Sequence, residues 1–166
     1  MNDSPKRWPS FRRRPAAGVR SLPRLGPAWH IVDWVTAHEF PDPVADRFLA
    51  IGPGGVYAVL VFGHGRARVL VAGDVLQSEG RRPGYIAEAR RTATEVGRHL
   101  STVVGLPIPV KAVLVLDGSG SITVHGLPRD CLIADVSGLD RLLIAGGARI
   151  SPETARKLAV AAERPA

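Results

Sequence analysis

The sequence predicts an α/β (α+β) domain in which a mixed central sheet is flanked by helices. Three observations carry this expectation. From Trp29 onward, short β-branched and apolar runs alternate with turn residues; one long helical pattern follows near Pro83; and further strand-like runs precede two short helical segments.

The first strands are expected near 29–35, 45–51, 55–62 and 67–72. Gly52-Pro53-Gly54-Gly55 reads as a tight turn between the second and third, and His64-Gly65 as a second hairpin turn before Arg66. The helix opens with Pro83 at a first-turn position. It carries Ile86, Ala89, Ala93, Val96 and Leu100 near one face and stops at Val104-Gly105-Leu106-Pro107. Strands are expected at Val110–Leu116 and Ser121–His125, joined by Asp117-Gly118-Ser119-Gly120, and a short one at Cys131–Ala134. A helix over about 138–145 precedes a last one opened by Ser151-Pro152-Glu153. There Ser caps, Pro takes the first helical position and Glu meets the positive end of the dipole.

At 166 residues the chain suits one domain with a single core, and a 45% hydrophobic fraction beside 22% charged residues argues for a packed interior. The lone cysteine, Cys131, excludes an intrachain disulfide, a CxxC pair and a cysteine-based zinc site. No apolar run approaches the roughly 20 residues that span a bilayer, and no apolar stretch follows Arg12-Arg13-Arg14 to make a signal peptide. The expected location is the cytoplasm.

Charge is unevenly placed. Seven of the 22 basic residues and one of the 15 acids fall in residues 1–27, so that segment is +6 and residues 28–166 are nearly neutral. Five prolines punctuate the same segment, which is expected to be a disordered basic arm, leaving 28–166 as the folded domain. Arg7, Trp8, Arg12, Arg13, Arg14, Arg20 and Arg24, with Phe11 interleaved, are candidates for contacting phosphates and stacking on bases of DNA or RNA. An acidic protein partner or an anionic surface fits the same charge.

The stretch Ala45 to Val59, with its Gly-Pro-Gly-Gly turn between two apolar strands, resembles the nuclease-related domain (NERD) family of the PD-(D/E)XK nuclease superfamily. The similarity runs from about Trp29 to about Leu158. It implies a PD-(D/E)XK nuclease-like fold, and a site in which an acid on one strand, and an acid and a lysine two apart on the next, surround a divalent cation that activates water. Carried over, the first acid is Asp46, but Leu60 and Phe62 stand where the second acid and the lysine belong. Arg47 replaces the histidine that commonly follows the first acid, and Glu88 lies near the place of a helix glutamine. The resemblance therefore implies a degenerate site without a cofactor, its Asp46 vestigial, its cleft closed by Leu60 and Phe62, and Asp46 free to hydrogen-bond its turn or pair with an arginine.

Other candidates read more plainly as structure. His38-Glu39 with Asp42 lies in a proline-interrupted loop, and the remaining histidines lack metal-helix spacing. Cys131 reads as a buried small hydrophobe, and Ser119 resembles no nucleophile elbow. Arg81-Arg82, Arg90-Arg91 and Arg98 read as a solvated helix face, with phosphate contact as the alternative. The function expected is that of a binding or scaffolding module that has lost catalysis. One alternative is a divergent nuclease that binds Mg²⁺ by recruiting Glu39, Asp42, Asp74 or Glu79 around Asp46; another is a protein-interaction subunit exposing Leu60 and Phe62 as an apolar patch.

Overall fold

The computed structural model of the chain describes Arg20, Leu22 and residues 24–63, 65–118 and 120–165. Its centre is a pair of long apolar strands, each sandwiched between layers. Strand β1 spans His30–Asp33, β2 Asp46–Gly52, β3 Gly55–Gly63, β4 Arg68–Ala72 and β5 Val75–Gln77. Helix α1 spans Tyr85–Val104 and is followed by β6 Val110–Asp117, β7 Ser121–Gly126 and β8 Cys131–Asp135. A 3-10 turn at Val136–Gly138 leads into α2, Leu139–Ile144, and α3 covers Pro152–Ala162.

The main sheet has the order β1-β2-β3-β6-β8. The pairs β1/β2 and β2/β3 are antiparallel, whereas β3/β6 and β6/β8 are parallel, so the expected mixed α+β sheet forms. Strands β3 and β6 read as near-continuous Val, Leu and Ala because both their faces are covered. Gly52 pairs with Gly55 across the tight turn, and Gly55 takes φ +118°, a conformation in which a side chain would be strained.

Strand alternation divides the interior in two. On one face Leu49, Ile51, Ala58, Leu60, Phe62 and Leu114 pack against Ile86, Ala89, Val96 and Leu100 of α1 and Ala155 and Leu158 of α3. On the other, Phe48, Ala50, Tyr57, Val59, Val61, Val113 and Val115 pack against Leu139 and Leu143 of α2 and against Leu22. Leu22 is 6% exposed and Leu25 packs beside it, so the ordered fold reaches back into the stretch that composition assigns to the arm.

Four local expectations are corrected. A second sheet, β5-β4-β7, stands apart from the main one. Strand β4 pairs with β5 and in parallel with β7, so β3 and β4 form no hairpin around residue 65. Equally, β6 and β7 belong to different sheets and are no hairpin. Central β3 already has partners on both edges, β2 and β6, which leaves no edge for β4. Helix α1 begins at Tyr85 with Gly84 as its cap, which puts Pro83 outside the first turn. Its end is as expected: Gly105 adopts φ 84° and its N–H bonds the Ser101 carbonyl. At α3, the Ser151 hydroxyl oxygen accepts the Thr154 N–H at 3.1 Å with Pro152 next in sequence, as its sequence suggests.

Candidate functional site

Asp46 opens β2 and lies opposite Val61 of β3, while Arg47 lies opposite Leu60. Paired residues of an antiparallel ladder point to the same side. Asp46 therefore faces the α2 layer with Phe48 and Val61, whereas Leu60 and Phe62 face α1. The structure does not bring the three positions together. Leu60 is 0% and Phe62 1% exposed, so they form no surface patch. Phe62 stacks on Tyr85 with centroids 3.8 Å apart and meets the edge of Phe40 at 5.8 Å, filling the space beside β3 with rings.

Asp46 is held by an arginine. Arg20 donates from Nε at 2.8 Å and from Nη2 at 2.7 Å to the two Asp46 oxygens, reaches Asp33 with Nη1, and lies 5.0 Å over the Phe48 ring. The bonds to Asp46 outweigh burial and keep the Arg20 guanidinium charged. Asp46 also accepts the Arg47 N–H at 2.9 Å. Of the basic candidates, Arg20 is thus committed within the fold, and Arg24 stands 3.9 Å from Asp140. Arg7, Trp8, Arg12, Arg13 and Arg14 lie outside the described residues, as do His64 and Ser119.

The acids named for a rebuilt metal site form no metal-holding group of three among the described residues. Asp74 pairs with Arg90 at 2.7 Å and accepts the Arg129 N–H, and the Arg90 bond holds its carboxyl below the usual range. Asp42 and Glu79 line a small cavity of about 160 Å³ with Arg81 and Tyr85. Among the described residues no three His, Cys, Asp or Glu side chains are grouped to hold a metal ion. Nor is any described helix long and apolar enough to cross a membrane.

A different polar centre lies between β2 and α1. Glu88, 3% exposed, accepts from Arg47 Nη2 at 2.9 Å and shares a hydrogen bond of 2.5 Å with His38 Nε2. Arg47 Nη1 bonds the Thr36 hydroxyl at 3.1 Å, which in turn donates to the His38 carbonyl. Glu95 accepts from Trp34 Nε1 at 2.9 Å and approaches His38 Nδ1 at 3.6 Å. His99 packs edge-on to Trp34, centroids 5.4 Å apart, and its Nε2 meets the Ala161 carbonyl. Burial lowers the Arg47 pKa and the Glu88 and Glu95 charges oppose that shift. Its Nε and the Thr92 hydroxyl have no hydrogen-bond partner among the described residues.

This cluster escaped the sequence reading, although half of it left a trace. Glu88, Thr92, Glu95 and His99 recur at helical spacing beside the apolar stripe of α1. Trp34 and His38 sit in an irregular segment with no periodicity to read. Beside the cluster, and sharing Trp34, Glu95 and His99 with it, a groove of about 500 Å³ is also lined by Ala37, Arg98 and Thr102. Comparison with known proteins gives no match to a family model, a curated protein or a solved structure.

Proposed function

We propose that the chain is a nuclease-related fold of the PD-(D/E)XK type that serves as a binding module of the cytoplasm rather than as a catalyst, and that it contacts nucleic acid through its basic N-terminal segment. One observation carries the loss of catalysis. The two strand positions to which the resemblance assigns an acid and a lysine are Leu60 and Phe62, sealed in the α1 layer, while Asp46 is bound to Arg20 on the opposite face. Phosphodiester hydrolysis needs oxygen ligands converging on one cation, and these three side chains supply a single carboxylate pointing away from the other two.

Binding is the role left to such a scaffold. Residues 1–19 contain Lys6, Arg7, Arg12, Arg13 and Arg14 against the single acid Asp3, with Trp8 and Phe11 between them. Cations of this density displace counterions from a phosphate backbone, and the aromatics stack on bases. The test compares the full chain with one lacking residues 1–19, which keeps Arg20 on Asp46. DNA and RNA binding is measured across a salt series. Truncation is expected to weaken binding and flatten its salt dependence; equal affinity and slope in both chains would refute the nucleic-acid role. Plasmid and single-stranded substrates with Mg²⁺ or Mn²⁺ are expected to stay intact. Cleavage abolished by Asp46→Ala would instead support the divergent nuclease.

A further inference from the structure

The groove beside α1 has the make-up of a ligand site, and its charge can be assigned group by group. Asp33, Trp34, Glu95, Arg98, His99 and Arg164 supply its polar lining. Both carboxylates are already engaged: Asp33 by Arg20, and Glu95 by the Trp34 indole N–H and by His38. The Arg98 and Arg164 guanidinium groups have no partner among the described residues. Hydrogen bonds leave the carboxylates charged, so the lining sets two guanidiniums without a partner among the described residues beside two carboxylates whose oxygens are already held by donors.

The aromatic wall narrows the ligand further. Trp34 is half-buried and its only donor is spent on Glu95, so what it offers a ligand is its ring. Its tilt is set by the edge contact with His99, which is anchored on the Ala161 carbonyl of α3. An indole and two guanidiniums without a partner among the described residues, lining one groove, suit a molecule that joins a flat ring to a phosphate. The volume, about 500 Å³, lies within the range of small-molecule sites. A neighbouring hollow shares Ala37, Glu95 and Arg98 and adds His38, Arg91 and Thr94, so a further arginine stands along the helix.

We propose that this groove binds a nucleoside monophosphate, its base packed on Trp34 and its phosphate held by Arg98 and Arg164. The site does not involve residues 1–19, so its failure and that of the nucleic-acid reading are separate results.

The experiment titrates the full chain at low salt with adenosine 5′-monophosphate, adenosine and inorganic phosphate, following the Trp34 indole N–H by NMR, assigned with Trp34→Phe. The monophosphate is expected to shift that resonance saturably, and adenosine and phosphate alone to bind at least about tenfold more weakly, because each lacks half of the recognition. Arg98→Gln and Arg164→Gln, both at exposed positions, are each expected to weaken the monophosphate about tenfold. Arg156→Gln, on the exposed side of α3, is expected to leave it unchanged. No saturable shift, equal binding of phosphate alone, or an affinity unmoved by Arg98→Gln and Arg164→Gln would overturn the proposal.

Discussion

The Arg47 guanidinium and the Glu88 carboxylate meet at 2.9 Å across the seam between β2 and α1, with 15% and 3% of their side-chain surfaces exposed. Each offsets part of the cost of burying the other, and His38 is a second partner of Glu88. Removing one partner strands a charge in the interior, at a cost of about 3–5 kcal/mol. Glu88→Ala and Arg47→Ala are each expected to lose stability on that scale in urea unfolding. An Arg47→Met/Glu88→Leu double variant is expected to lose less than the sum of Arg47→Met and Glu88→Leu, because no charge is left without a counterpart. Additive losses would show that the two side chains act independently.

Arg20 and Asp46 form a forked pair at the rim of the opposite layer. Asp46 is 8% and Arg20 27% exposed, so the pair is only partly shielded from water. Asp46→Asn keeps the shape and removes the charge, and Arg20→Gln removes the fork. Each is expected to cost about 1.5–3 kcal/mol, the worth of hydrogen bonds to a charged group. Addition of Mg²⁺ is expected to leave the melting temperature of the native chain unchanged. A Mg²⁺-dependent rise that Asp46→Ala abolishes would restore Asp46 as a ligand.

Phe62 is wedged between Tyr85 and Phe40 and is 1% exposed. Phe62→Ala is expected to destabilise by about 3–5 kcal/mol, from lost transfer energy and the cavity left behind. Installing the missing chemistry with Leu60→Glu and Phe62→Lys is expected to yield an unfolded or molten chain and no nuclease, since both charges enter the α1 layer while Asp46 faces away. Circular dichroism and a plasmid assay check the two halves. A folded, cleaving variant would contradict the assignment of faces.

Burial pushes the Cys131 thiol up to about 11 from an ordinary value of 9.0, with the residue 3% exposed. In the native chain Cys131 is expected to resist alkylation at pH 8 and to react only on unfolding. The raised value also has a sign in stability. The folded form keeps its proton between about 9 and 11 while the unfolded form loses it, so this contribution is whole below pH 9 and falls as pH rises through that window. The native chain is expected to lose stability there relative to Cys131→Ala; parallel pH profiles would contradict this.

What could be read in advance follows from where the physics is local. The strands of the main sheet, the end of α1 at Gly105 and the Ser151 cap each have their cause within a few residues, and all were legible. The split into two sheets was not, because whether β4 joins β3 or β7 is decided by which edges are already taken. The start of α1 was misread because Pro83 fits a first turn as well as the residue before a cap. At the site, the losses at Leu60 and Phe62 were legible as residue types, but their separation from Asp46 follows from register. The Arg47–Glu88–His38 cluster joins residues up to 50 positions apart, a distance over which one sequence carries no pairing signal.

Asp46 and Arg47 are adjacent in the chain yet belong to opposite layers, one bound to Arg20 and the other to Glu88. A slide of β2 by a single residue would exchange the two sides, leaving the Asp46 carboxylate on the side of Glu88 and the Arg47 cation on the side of α2. Both would then lose their counterions, and like charges would meet on the helix side. The aliphatic residues on either side tolerate such a slide far better, since Leu, Ala and Ile resemble one another in what they pack against. The charged dipeptide therefore favours the native register of β2 over an off-by-one pairing, which would separate both side chains from their counterions.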